Sequence, residues 1–354
     1  MRIGNRDVGP GHPCYIVAEL SANHGQDFDQ AVALIRAMHE AGADAVKVQT
    51  YTAESLTIDS RLAPFVVGGG TLWDGRTLYE LYQEAAMPWE WQPKLQQLAL
   101  ELGLDFFSTP FDAEAVDFLE QLDVPAHKIA SFELIDLPLL RQVAATGKPV
   151  IMSTGMATVE EIEEALVTLR EARSGPVALL KCTSAYPAPV SEMHLRTIPD
   201  MARRFGVPIG LSDHTPGHTA AVVAVGLGAC IVEKHFTLSR AQPGPDSAFS
   251  MEPDEFRALV DAVRDAEQAL GKINYTPSAK EAASRALRRS LFIVKDVKAG
   301  ERFTSSNVRS IRPGHGLHPR HLEEVLGGTA SRDIAAGTPV DWSLLARPAN
   351  ATAR

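Results

Sequence analysis

A closed β/α barrel followed by a small β-rich domain is the fold this sequence predicts. Three observations carry the prediction. Eight short apolar, β-rich runs alternate with amphipathic stretches at the spacing of βα units. At 354 residues the chain is too long for one minimal domain and suits a barrel plus something smaller. After Gly271 the texture changes, from long periodic segments to a polar, basic stretch and then short β-like pieces.

In chain order the eight runs are residues 14–20 (CYIVAEL), 45–50 (AVKVQT), 105–109 (DFFST), 127–131 (HKIAS), 149–154 (PVIMST), 177–183 (VALLKCT), 208–212 (PIGLS) and 231–236 (IVEKHF). Between them, segments such as FDQAVALIRAMHEAGA, AEAVDFLEQL and TVEEIEEALVTLREA place apolar residues at helical spacing. Thr158 followed by Glu161 predicts a capping box. The longest connection, 51–87, holds a GGG run at 68–70 and an aromatic cluster from Trp73 to Tyr82, which predicts an ordered functional loop. The last barrel helix ends at Gly271, so the barrel spans 1–271. Residues 272–289 read as a linker, and 290–354 as a compact domain of short strands with no catalytic set of its own.

Composition excludes several function classes. A net charge of −10 argues against nonspecific nucleic-acid binding, and an anionic ligand would need its own cluster of cations. No apolar stretch approaches the roughly 20 residues that cross a bilayer. Three cysteines in apolar runs, with no signal peptide before the first strand, predict reduced thiols and a cytoplasmic protein.

Strand ends carry the chemistry of a barrel. His214 stands two residues past the seventh run and His235 at the close of the eighth, and a strand–helix–strand crossover brings the two to one edge. Two imidazoles there can hold a divalent metal that polarises a carbonyl, and two unrelated histidines are the competing reading. Strict alternation in AVKVQT puts Lys47 and Gln49 on the inward face. A lysine in a barrel interior costs several kcal/mol without an anion, so Lys47 is a substrate clamp or half of an ion pair with Glu19 or Glu233. Lys128 poses the same question, and it shares a pocket with Ser131 only if its strand ends between them. Glu19 sits where an acid or base, or a helix cap, would be placed. Hydroxyls recur at successive strand ends, at Thr109, Ser153, Ser184 with Tyr186, and Ser212, and predict a mouth that binds phosphate and polyol oxygens.

These residues bring a family into view. AELSANH, AVKVQTY, FFSTPFD, HKIASFE, MSTGMAT, KCTSAYP, GLSDHT and VEKHFTL, with RRSL and SIRPGHGL in the second domain, resemble the sialic acid synthase family over nearly the whole chain. Its members join a β/α barrel to an antifreeze-like (SAF) domain. WDGRTLYELYQEA, ASFELIDLPLL and GPDSAFSMEP are most similar to the pseudaminic acid branch.

The resemblance implies condensation of phosphoenolpyruvate with the open-chain aldehyde 2,4-diacetamido-2,4,6-trideoxy-L-altrose. The family's acceptors also include N-acetylmannosamine and the legionaminic precursor. It implies a divalent metal, manganese with magnesium or cobalt as alternatives, on His214 and His235. Lys47, Thr109, Lys128, Ser131, Ser153, Ser184 and Ser212 would hold phosphoenolpyruvate, although some relatives carry Asn where this chain has Ser184. Glu19, Gln49, Tyr186 and Asp246 would lie near the sugar, with Glu133 as a proton carrier. Arg312 would reach the barrel of the partner in a domain-swapped homodimer. Two other readings compete: a Schiff-base aldolase using Lys47 or Lys128, and a second domain that merely binds glycan.

Overall fold

The computed structural model describes residues 1–242 and 244–346. It divides into two compact units, Met1–Gly271 and Lys272–Arg354.

Unit 1 opens with a hairpin, β1 (Arg2–Ile3) and β2 (Arg6–Asp7), that the sequence did not suggest. Eight parallel strands follow: β3 (Tyr15–Glu19), β4 (Ala45–Thr50), β5 (Asp105–Pro110), β6 (His127–Ile129), β7 (Val150–Ser153), β8 (Val177–Cys182), β9 (Ile209–Asp213) and β10 (Ile231–His235). They close into a barrel in which β10 pairs with both β9 and β3. All eight fall within a residue or two of the runs read from the sequence.

The helices between them are α1 (Phe28–Glu40), α2 (Ala53–Leu56), α3 (Leu78–Ala85), α4 (Gln92–Glu101), α5 (Ala113–Gln121), α6 (Leu137–Ala145), α7 (Val159–Glu171), α8 (Thr197–Phe205), α9 (Thr219–Gly226) and α10 (Pro253–Leu270). Their starts follow from local chemistry. Asp27, Asp112 and Asp136 accept backbone N–H groups at the N-termini of α1, α5 and α6, and Thr158 with Glu161 forms the predicted capping box on α7.

The barrel interior changes character along its axis. Its lower half is apolar: Tyr15, Val17, Ala45, Phe107, Ile151, Leu180 and Ile231 pack with Ile3 of the hairpin. Two residues further along the same inward faces stand Glu19, Lys47, Thr109, Ser153, Cys182 and Glu233. Period-2 alternation thus turns a hydrophobic plug into a polar floor at a single height. Gly210 is required in the plug, because a Cβ there would lie 2.6 Å from both Leu180 Cδ2 and the Ile231 carbonyl.

Long connection 51–87 is ordered. Asp74 accepts from the backbone N–H groups of Gly70 and Thr71, Val66 bridges Thr77, and Trp73 Nε1 donates to the Pro245 carbonyl at 3.0 Å.

Unit 2 contains α11 (Ala279–Arg285), which lies in the stretch read as linker and is capped by Ser278. Antiparallel strands β11 (Ser290–Ile293) and β12 (Val308–Ile311) follow, then α12 (Leu322–Val325). Of the short β-like pieces expected in this domain, TPVDWSLL (338–345) forms no strand but isolated bridges from Pro339 to Phe292 and from Leu345 to Ala330, with a short turn between them. Leu291, Ile293, Phe303, Val308, Val325 and Val340 make the core. Gly316 of SIRPGHGL admits no side chain, since a Cβ would collide with the Leu291 carbonyl. The expected domain extends to 354, but residues 347–354 lie outside the described residues.

Among the described residues no helix is long and apolar enough to cross a membrane. All three cysteines are free and buried.

Candidate active site

The polar floor is built around four charges. Register pairs Glu19 of β3 with Lys47 of β4, and their side chains form a tight ion pair. Lys47 Nζ also donates to Thr109 Oγ1 at 3.2 Å and stands 3.9 Å from Glu233 Oε1. Lys128 Nζ donates to Ser153 Oγ at 2.8 Å and to Glu233 Oε1 at 3.3 Å. The Ser212 hydroxyl donates to the same Glu233 oxygen at 3.2 Å. Two cations and two carboxylates therefore balance in a nearly water-free layer, where an unpaired charge would be prohibitive.

Burial and charge set the proton affinities. Burial raises the Glu19 carboxyl to about 7, even against the pull of Lys47. For Glu233 burial acts in the same direction, but Lys128 and Lys47 outweigh it and hold the carboxyl below its usual range. Burial would lower Lys47, yet Glu19 and Glu233 keep it raised. Of the two acids, Glu19 is the one that takes a proton near neutrality.

Lys47 and Lys128 thus make the ion pairs that the sequence offered as one alternative, while the hydroxyl each also touches lies on the mouth side. Strand β6 ends at Ile129, which resolves the opposite-face problem for Lys128 and Ser131. Ser131 Oγ accepts from the Gly155 N–H at 3.1 Å. Gly155 is glycine for steric reasons: a Cβ would strike Ser184 Oγ and lie 2.7 Å from Ser131 Oγ. Three strand-end loops, after β6, β7 and β8, therefore converge on one point.

The two histidines meet at the neighbouring ends of β9 and β10, with ring centroids 5.4 Å apart. His214 Nδ1 donates to the Thr183 carbonyl at 3.1 Å, which leaves Nε2 as the ring's free lone pair. His235 Nδ1 is buried without a hydrogen-bond partner and lies 4.0 Å from Asp246 Oδ2. Burial, then the neighbouring cationic groups, push His235 well below the ordinary imidazole range, so its ring is neutral. His214 is shifted upward: burial opposes this, but the Cys182 thiol and the Thr183 carbonyl prevail. Asp246 is held by the Ser21 hydroxyl and by the Ala22 N–H at 3.4 Å.

An orphaned imidazole nitrogen facing a carboxylate, beside a second ring with a free nitrogen, fits a divalent metal with open positions. Among the described residues no group of three or more His, Cys, Asp or Glu side chains is gathered closely enough to enclose one. Water and substrate would complete the coordination.

Tyr186 packs on His214 with centroids 4.4 Å apart, flanked by Phe249 at 5.1 Å and Trp73 at 5.9 Å. Glu133, in the turn after β6, has an enclosed Oε2 without a partner, and burial raises its carboxyl to about 7. Gln49 is half-buried above Lys47, paired in register with Thr109. Arg312 is not among these residues: it lies exposed in unit 2, directly after β12.

Sequence reasoning named Glu233 only as a possible partner, whereas it is the hub of the floor. Its signal was legible, because alternation in IVEKH puts Glu233 and His235 on one face. Cys182, Phe249 and the contact of Trp73 with Tyr186 were missed. The first reads as core, and the other two depend on loops whose paths have no local code.

The NeuB family matches this chain over residues 34–275, and the SAF domain matches residues 288–346. The chain is 45% identical over 337 residues to the pseudaminic acid synthase of Campylobacter jejuni, covering 95% of this chain and 97% of that one. Identity to the N,N'-diacetyllegionaminic acid synthase of Legionella pneumophila is 37% over 344 residues, 96% of each chain. The solved N-acetylneuraminic acid synthetase of Leptospira borgpetersenii, a complex with citrate, superposes with a TM-score of 0.72 at 31% identity, covering 80% of this chain and 94% of that one. The chain belongs to the NeuB family.

Proposed function

We propose that the chain is a pseudaminic acid synthase: it condenses phosphoenolpyruvate with 2,4-diacetamido-2,4,6-trideoxy-L-altrose to give pseudaminic acid and inorganic phosphate. The observation that carries this reading is one mouth in which two lysine–hydroxyl pairs face two imidazoles and a carboxylate. The higher identity to a pseudaminic than to a legionaminic synthase, 45% against 37%, supports the branch.

Lys47 with Thr109, and Lys128 with Ser153, would take the phosphate and carboxylate of phosphoenolpyruvate, joined by Ser131, Ser184 and Ser212. Manganese, or magnesium or cobalt in its place, would sit on His214 and His235 and polarise the acceptor aldehyde as a Lewis acid. The enol carbon of phosphoenolpyruvate bonds to the aldehyde carbon, which leaves positive charge on the carbon bearing the phosphate oxygen. Glu19 and Glu233 would lie beneath that carbon and stabilise the charge in a medium of low polarity. Water adds there, and cleavage of the C–O bond releases phosphate and leaves the 2-keto acid. Glu133, balanced near neutrality, would carry the proton of the attacking water. Trp73, Tyr186 and Phe249 would give the apolar parts of the acceptor a wall, with Gln49 and Asp246 addressing its hydroxyls. In a domain-swapped homodimer in the cytoplasm, Arg312 of one subunit would complete the acceptor site of the other.

The test is phosphate release from phosphoenolpyruvate by protein stripped with chelator and reloaded with manganese. The altrose sugar, the legionaminic precursor and N-acetylmannosamine serve as parallel acceptors. Release with the altrose sugar alone, and only after reloading, is expected. Preference for either other acceptor would keep the mechanism and change the substrate, while full activity before reloading would remove the metal.

A further inference from the structure

On the outer side of the barrel wall, between α7, α8 and the end of β8, lies a pocket of about 230 Å³ that the proposed reaction does not use. Met156, Ile162, Met201 and Phe205 supply apolar surface, and Lys181 and Arg204 bring positive charge. A shallower cleft of about 530 Å³ adjoins it and shares Thr197 and Asp200, so the pocket has an entrance.

Lys181 is the anomaly. It occupies the outer face of β8, opposite Cys182, where barrel strands ordinarily present apolar side chains to their helices. Its Nζ donates to the Cys182 carbonyl at 2.8 Å and to Thr183 Oγ1 at 3.3 Å, with no carboxylate among the described residues in ion-pair range. An ammonium carries three donors, so one is left for the pocket. Burial pushes its pKa down, a shift that an added anion reverses. Arg204 is held only loosely, its Nε 3.9 Å from Asp200 Oδ2, while Asp200 bonds Arg203 at 3.0 Å.

We propose that this pocket binds a small anion, a carboxylate or a phosphate ester, carried on an apolar body about the size of a benzene ring. The anionic group lies between Lys181 and Arg204, and the ring lies among Met156, Ile162, Met201 and Phe205. The size is adequate, since an apolar cavity of about 150 Å³ already accommodates benzene. The pocket also communicates with the mouth. Lys181 holds the Thr183 hydroxyl, and the Thr183 carbonyl positions His214. An anion that draws Lys181 away loosens the strand end on which that histidine depends.

Fluorine NMR on the full chain tests the site, with 4-fluorobenzoate and 4-fluorophenyl phosphate as separate probes. Saturable line broadening by at least one probe is expected, and the stronger binder tells carboxylate from phosphate chemistry. Affinity should fall about tenfold or more in Lys181→Met and in Arg204→Ala, as for loss of a charge-assisted hydrogen bond, and persist in Lys128→Met, whose lesion is in the mouth. Arg204 is partly solvent-facing, so its variant serves if Lys181→Met fails to fold. No saturable broadening, equal binding by wild type and Arg204→Ala, or loss of binding in Lys128→Met would each overturn the proposal. Binding requires no turnover, so failure of the synthase reading leaves this test intact.

Discussion

Lys234 and Lys128 are equally inaccessible, each on a barrel strand, yet the wall of the barrel separates two uses of the same residue. Lys234 points outward from β10. Its ammonium is saturated by Asp213 Oδ2 at 2.8 Å and by the carbonyls of Thr215 and Gly217, three acceptors for three donors. Lys128, on the inward face of β6, makes bonds to Ser153 and Glu233, and Lys47 to Glu19 and Thr109. Each inward lysine keeps a donor in reserve and touches a hydroxyl that can turn toward a ligand. Burial alone therefore does not distinguish a clamp from a strut. The unfilled donor does.

The sharpest way to break this contrast is substitution on both sides of the wall. Lys128→Met and Lys47→Met should each lower kcat/KM by about a thousandfold or more, because each removes a charge that stabilises an anion in a dry site. Both proteins should remain folded. Glu19 sits near its own pKa and can take a proton when Lys47 is gone, and Glu233 retains Lys47 when Lys128 is gone. Kinetics with circular dichroism checks this, and a loss below about tenfold would sink the clamp.

Lys234→Met should behave in the opposite way, destabilising the fold by about 3–5 kcal/mol because Asp213, which keeps only the Thr215 N–H, is left buried without its counter-charge. That corresponds to a melting temperature lower by about 10 °C in a domain of this size. The protein that remains folded should turn over at near wild-type kcat. Adding Asp213→Leu to Lys234→Met should recover most of the melting temperature, and no recovery would mean the pair is not the source of the loss.

Glu133 sharpens the comparison from the acid side, being a partly buried carboxyl with no cation bonded to it. Its pKa in the folded protein is raised, to about 7 from an ordinary 4.5. Its contribution to stability is thus fully present below about pH 4.5 and lost as pH rises through about 7. Glu133→Gln should therefore melt higher than wild type at pH 8 and no higher at pH 4.5. In activity, kcat should fall as pH drops through about 7 in wild type, and that limb should flatten in Glu133→Gln, at a rate lower by about a hundredfold. An unchanged limb would assign the proton to another group. The smallest effect belongs to Trp73→Ala, which should raise KM for the sugar several-fold and leave KM for phosphoenolpyruvate unchanged. Equal changes in both would make Trp73 a general lid residue rather than an acceptor contact.

Much of this molecule is legible without coordinates. The barrel strands are, because alternation and apolar runs are local patterns that each strand carries by itself. So is the set of inward polar residues, since period 2 assigns faces as soon as a strand is recognised. The N-terminal hairpin was not, being four strand residues whose stability comes from packing Ile3 under the barrel. The helix within 272–289 was hidden because it is only seven residues long and buries no side chain, so it carries no apolar stripe, although Ser278 and Glu281 form its capping box.

What the sequence determined, then, is which residues line the mouth and at what height on each strand: Glu19, Lys47, Thr109, Lys128, Ser153, Ser212, His214, Glu233 and His235 all declare themselves by position along a run. What only the tertiary structure decided is who meets whom. The pairing of Lys47 with Glu19, the sharing of Glu233 between two lysines, and the seating of Trp73 against Tyr186 all depend on the stagger of the closed barrel and the course of its loops. Ion pairing in a dry interior is a property of separation and orientation across strands that are distant in sequence, and no local pattern encodes either.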